Sequence, residues 1–319
     1  MEILISVILV LVIPVAICRI ASIALRRFAA GGVIISIASK LVWLFPLGIL
    51  GQFIGNPHLT PFSFFALLIF LQHPVSIIFQ SFYQIVGMII PHIKHGKGLP
   101  SKETYEQKCN YILPFSGKWT VVNGGVNKEL SHSWELPSQR YAYDFIILDD
   151  TGKSRDGDIG DANAYFCYGK DIIAPADGVV VGMYDGFRDS FIDGKNAYCD
   201  ALNIAGNYIT IKHNGNEYSV IAHILKGSIT VKKGESVKQG DIIAKCGNSG
   251  NSSEPHIHFQ LQDGKSFFLS AGLPIAFSGI TAQEKENYNV LDTRPCNNNL
   301  EIAGDKTFIG RGLEVCNDI

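Results

Sequence analysis

Across 319 residues the chain carries 27 Lys and Arg against 29 Asp and Glu, a formal net charge of −2, with 47% hydrophobic residues. That balance argues against a nucleic-acid partner, which needs a basic excess on its binding face. The average conceals an asymmetry: no Asp, Glu, Lys or Arg lies between Leu41 and Pro91, and every carboxylate except Glu2 lies beyond Ser101. The expected organisation is a membrane module over residues 1–95 followed by a soluble domain over 96–319, long enough for one sizeable core.

The first module reads as two to three hydrophobic helices. Residues 3–18 form an apolar run broken only by Ser6 and Pro14, and Glu2 stands where a cleavable leader would carry positive charge, so a retained span is expected. A second block covers 31–55 with Lys40 inside it, and a third covers 60–90 with Gln72-His73-Pro74 near its middle. Spanning takes about 20 apolar residues, so the third block suffices for one tilted or broken helix. Arg19, Arg26, Arg27 and Lys40 would face the cytoplasm under the positive-inside rule. Three full crossings would then leave the soluble domain inside too, whereas its cysteines and its chemistry favour the outside. Either the third block lies at the interface without crossing, or the first loop departs from the rule.

Beyond residue 96 the pattern becomes short β-rich segments between turn signals. Strands are expected over 119–123, 140–148, 172–184, 207–213, 218–225, 229–231, 242–246 and 256–261. No long helical periodicity appears between Trp119 and Gln262. The expected fold of this part is all-β, an antiparallel sheet, sandwich or barrel. Six of the seven cysteines lie here (Cys109, Cys167, Cys199, Cys246, Cys296, Cys316), an even count that permits three disulfides outside the cytoplasm; Cys296 with Cys316 is the pair that would pin the C-terminal tail.

Ala174-Pro175-Ala176-Asp177-Gly178 and the turn in Val231-Lys232-Lys233-Gly234-Glu235-Ser236-Val237 also occur in lipoyl and biotinyl carrier domains. Such carriers need a modifiable lysine on a hairpin between the two halves, and the interval here shows none. The acidic stretch 149–161 lacks the glycine and glutamate of an EF-hand loop and reads as a solvated insertion.

The chemistry concentrates in Gly247-Asn248-Ser249-Gly250-Asn251-Ser252-Ser253-Glu254-Pro255-His256-Ile257-His258-Phe259. Side chains in a strand alternate faces, so His256 and His258 project to the same side, where two imidazoles suit a divalent metal and a proton acceptor. Tyr141-Ala142-Tyr143-Asp144-Phe145 places one carboxylate in an apolar strand, where a cation would offset its burial. Tyr218-Ser219-Val220-Ile221-Ala222-His223 places one histidine in another, and His132 lies upstream of Asp144. A lone histidine in a strand is ordinarily a hydrogen-bonded core residue, which is the reading for His213.

In this order the segments resemble the lysostaphin-like zinc endopeptidases that cut peptidoglycan, over about residues 123–262; the first module and the tail after Gly264 lie outside the resemblance. The resemblance implies that Asp144 and His258 bind Zn2+, with His256 and His223 flanking the attacking water as general base and transition-state stabiliser. One position departs from it. The usual histidine four residues before the aspartate is Arg140, whose guanidinium stays protonated and cannot ligate zinc. Either His132 supplies the third ligand through a hairpin, or the domain is an inactive scaffold that binds peptidoglycan or a partner. The active reading implies a membrane-anchored peptidoglycan endopeptidase whose catalytic domain lies on the extracytoplasmic side.

Overall fold

Short strands buried at nearly every position build the centre of the folded part of the chain. The computed structural model describes residues 37, 40–41, 44–56, 58–59, 61–63, 65, 75–96, 98–193, 204–296 and 301–318. Two units are distinguished, Met1–Ser81 and Phe82–Ile319. Two helices matter here, α1 (Phe45–Phe53) and α2 (Val75–His95).

The strands are β1 (Trp119–Asn123), β2 (Tyr143–Ile146), β3 (Asp171–Ile173), β4 (Gly178–Tyr184), β5 (Tyr208–Lys212), β6 (Tyr218–Ala222), β7 (Ser236–Val237) and β8 (Ile242–Lys245). They continue with β9 (Ile257–Gln262), β10 (Gly272–Leu273), β11 (Phe277–Ser278), β12 (Ile280–Glu284), β13 (Glu301–Ala303), β14 (Lys306–Phe308) and β15 (Leu313–Asn317). The principal sheet runs β12-β15-β1-β2-β9-β6-β5-β4-β7, with β10 also on β9 and every pairing antiparallel. β3 with β8, and β11 with β14 and β13, form two small sheets. Beneath lies one main core in which Trp119, Phe145, Phe259, Ile209 and Ile211 are fully buried. Each such side chain contributes about 1.5–3 kcal/mol by leaving water.

The all-β domain agrees with the expectation, with three differences. Residues 172–184 are two strands in different sheets, because Pro175 lacks an N–H for a ladder and the Asp177 carboxylate closes a turn by accepting from the Gln239 backbone N–H at 2.8 Å. Residues 229–231 are no strand; Thr230 meets β8 only through its N–H to the Ile243 carbonyl and its hydroxyl to the Ile242 carbonyl. The tail beyond Gly264 adds β12 and β15 to the principal sheet, next to β1.

The membrane-spanning helices do not appear among the described residues, where no helix is long and apolar enough to cross a membrane. The run over 3–18 and Cys18 lie outside those residues. In the second block α1 has only 9 residues, far short of the ~20 needed. In the third, α2 turns Gln84, Gly87, Pro91 and His95 toward the protein and leaves Phe82, Ile85, Ile89 and Ile93 exposed. Cys109, Cys167, Cys246, Cys296 and Cys316 are free thiols, so the Cys296–Cys316 bond is not formed; Cys296 packs instead against Ile146, Leu148 and Tyr288. Cys199 is outside the described residues.

Candidate metal centre

β9 lies between β2 and β6, and the antiparallel register sets Asp144 directly opposite His258, with Ala222 opposite it on the other side. Strand pleating then carries His256, His258, Gln260 and Gln262 along one face. His223 follows β6 with a left-handed backbone, φ 62°, a conformation that costs about 1–3 kcal/mol and persists only where the surroundings fix it. Here they do. The His223 N–H donates to the Ala205 carbonyl, and its ring Nδ1 donates to the Ser249 carbonyl at 2.7 Å. Gly206 and Gly250, both at positive φ, let those two loops meet so closely that a Cβ on either would overlap the other's backbone. The Asn207 N–H donates to Ser249 Oγ between the same loops, and its side-chain amide donates to the Phe187 and Ile224 carbonyls.

His132, Asp144 and His258 each bring a donor atom to one place, all within 4.8 Å of one another. His132 Nδ1 is 3.5 Å from Asp144 Oδ2, and His258 Nδ1 is 2.9 Å from Asp144 Oδ1. His256 adjoins them, its Nε2 3.6 Å from Asp144 Oδ1. The His223 ring centroid is 4.6 Å from that of His256 and 5.7 Å from that of His258. His213 lies elsewhere, bonded to the Asp177 carbonyl and Ser219 Oγ, as a core residue.

The proton positions follow from fixed partners. The Gln260 amide NH2 donates to Ser138 O and Gln262 Oε1, so its Oε1, 3.0 Å away, faces His258 Nε2 and must accept from it. The Nδ1 lone pair of a neutral His258 therefore points at the Asp144 carboxylate. Two buried acceptors this close require a cation or a proton between them. His256 Nδ1 donates to the Glu254 carbonyl at 2.8 Å, so both His256 and His223 leave Nε2 as an open acceptor.

Electrostatics agree. Burial alone would raise the Asp144 carboxyl; the rings of His132, His258 and His256 outweigh it and hold it well below the ordinary carboxylate range. Burial alone would lower His258, but the Asp144 carboxylate outweighs it and raises the ring above its ordinary value. Burial, then the neighbouring His256 and His258, holds His223 far below its ordinary value, so that ring is neutral. Two nitrogens and one carboxylate, with room beside them in an open cleft, are a donor set that fits zinc with an open position.

Arg140 is turned away. Its Nε donates to the Trp134 carbonyl at 3.1 Å and its guanidinium lies 4.9 Å over the Trp134 ring, so it fastens the turn that follows His132. Residues not singled out in the sequence also serve the site. Asn123 donates to Asp144 Oδ2 at 2.9 Å and accepts from Arg294 Nη2 at 3.0 Å. Gln260 orients His258, and its place two residues after His258 was the available signal.

Residues 163–268 match the family model described as peptidase family M23; His223, His256 and His258 fall inside the match, His132 and Asp144 before it. An uncharacterized metalloprotease of Haemophilus influenzae is 36% identical over 124 residues, covering 38% of this chain and 22% of the relative. The peptidoglycan DD-endopeptidase ShyB of Vibrio cholerae is 34% identical over 121 residues, covering 36% and 28%. This chain thus spans under a third of the length of those two relatives. The catalytic domain of lysostaphin from Staphylococcus simulans aligns over 53% of this chain and 90% of its own, at 22% identity and a TM-score of 0.27. Over residues 163–268, a third of its length, the chain is thus similar to peptidase family M23.

Proposed function

We propose that this chain is a zinc-dependent endopeptidase that cleaves peptide bonds in peptidoglycan stem peptides or cross-bridges. The observation that carries this reading is the convergence of His132, Asp144 and His258 with two further rings whose free Nε2 atoms border the same cleft. His132, Asp144 and His258 would hold the metal. When bound, zinc acidifies water to near neutral pH and polarises the scissile carbonyl.

The protein's own groups do the rest. Asp144 is kept ionised by its neighbours, and Asn123 fixes its second oxygen. Nε2 of His256 accepts the proton of the attacking water and returns it to the leaving amine, while the Glu254 carbonyl holds the opposite nitrogen. Neutral His223 presents an acceptor, so it orients the water in the resting site and stabilises an oxyanion only once protonated. Peptidoglycan as substrate is supported by the relative from Vibrio cholerae.

Membrane attachment through the first module, with the catalytic domain on the extracytoplasmic side, is part of the same proposal. It is supported by the absence of charge from Leu41 to Pro91 and by the exposed Phe82, Ile85, Ile89 and Ile93 on α2. The test is digestion of sacculi by zinc-loaded full chain beside His256→Ala. New amino termini released by the parent and not by the variant are expected; sacculi left uncut at full zinc occupancy would overturn the reading.

A further inference from the structure

Most carboxamides around the centre are locked. Gln260, Gln262, Asn123 and Asn207 all donate to named partners. Gln84 and Gln139 differ. Both line the cleft that holds His132 and His258. Gln84 is half-buried and Gln139 is 8% exposed, yet among the described residues neither side-chain amide has a hydrogen-bond partner in the protein. Both amides stay within reach of water in the cleft, and two unpaired carboxamides beside a metal centre are placed to exchange that water for a ligand.

α2 is held there firmly. Lys94 Nζ lies 2.7 Å and His95 Nε2 2.6 Å from Asp263 Oδ2, and Gly87 sits so close to the Phe268 carbonyl that a Cβ would overlap it. Gln84 is thus presented to the cleft by a fixed helix that precedes the family match.

We propose that Gln84 and Gln139 form a substrate subsite that reads the backbone of an uncharged stretch of peptide running from the metal centre toward α2. A carboxamide offers a donor and an acceptor together, the complement of a peptide unit. At its α2 end the cleft is lined by Gln84, Leu136, Gln139 and Phe267, none of them charged, whereas Asp292 and Arg294 line a second cleft that shares Asp144 and His256. The end at α2 therefore selects neutral peptide, and a free carboxylate or ammonium is disfavoured there.

This inference rests on the peptidase reading, and its test separates the two. The probe is a purified cross-linked muropeptide dimer, presented to the zinc-loaded full chain and to Gln84→Ala, Gln139→Ala and the double variant; Gln139→Met, of similar volume, replaces Gln139→Ala if that variant misfolds. KM is expected to rise about three- to tenfold in each single variant and about thirtyfold in the double, with kcat and zinc content little changed. A KM within about twofold of the parent in a folded double variant overturns the subsite. If the parent leaves the dimer uncut, the peptidase reading fails by itself and the dissociation constant of the same dimer becomes the readout. Weaker binding by the double variant then sustains the subsite; equal binding, or no binding by the parent, overturns it.

Discussion

Asp144 and His258 face each other across the β2–β9 ladder with Oδ1 and Nδ1 2.9 Å apart, while the far nitrogen of His258 is already committed to Gln260. The pair is set for a cation by the side chain two residues along the same strand. Removing the Gln260 acceptor frees the ring to take the other tautomer, in which Nδ1 carries the proton and cannot ligate. Outer-shell partners of this kind are worth about 10–100-fold in metal affinity. Gln260→Ala is expected to weaken zinc by that factor in a chelator competition, and Gln260→Glu, which keeps the acceptor, to weaken it less. Equal affinity in all three proteins would show that the ring is held by other means.

His132 reaches the centre from a turn fastened by Arg140 on Trp134. His132→Ala and His258→Ala should each lose zinc by more than about a hundredfold, beyond the outer-shell range, whereas His256→Ala should retain it. Arg140→Lys loses the planar stacking and the directed Nε–H, so it should behave like Arg140→Ala and weaken zinc with little change in melting temperature. Metal analysis of the parent and these five variants after dialysis distinguishes a positioning role for Arg140 from none.

The pH dependence has a definite sign. Zinc needs His258 Nδ1 without a proton, and the adjacent Asp144 carboxylate makes that ring hold its proton to higher pH than the ordinary value of about 6.5. Competition therefore begins above that value and grows as the pH falls. The apparent zinc Kd should rise about tenfold per pH unit below the His258 pKa for one displaced proton. A titration series from about pH 8 to pH 5.5 measures it, and a Kd that stays flat down to about pH 6 would contradict the assignment.

Much of the centre was legible because strand pleating has period two. His256-x-His258 fixed one wall, and a lone carboxylate among the aromatic residues around Asp144 demanded a cation. The third ligand was legible only as an option, since a hairpin can return His132 to Asp144 but its length does not require it. Register was invisible. Asn123 meets Asp144 through an irregularity in the β1–β2 ladder between Val121 and Asn123, which no local pattern encodes. Gln84 was hidden differently: α2 carries no charge before Lys94 and reads as a membrane segment, and only the fold shows that Gln84, Gly87 and Pro91 face the protein while Phe82, Ile85, Ile89 and Ile93 face out.

That inverted arrangement gives a stability prediction at Gly87. In an open helix Gly→Ala stabilises by about 1 kcal/mol, because alanine has less backbone freedom to lose. Here the new methyl would overlap the Phe268 carbonyl oxygen, a backbone atom of the loop tied to α2 through Asp263, Lys94 and His95. A flexible side chain could yield, but this backbone cannot without moving Phe267, which lines the metal cleft with its ring centroid 6.1 Å from that of His258. Overpacking of this kind costs about 1–3 kcal/mol, so the clash outweighs the propensity gain. Gly87→Ala is expected to lower the melting temperature and to speed hydrogen exchange in α2, with the strongest effect after residue 82. An unchanged or raised melting temperature would mean that α2 stands farther from the loop in solution, and the Gln84 subsite would lose its scaffold with it.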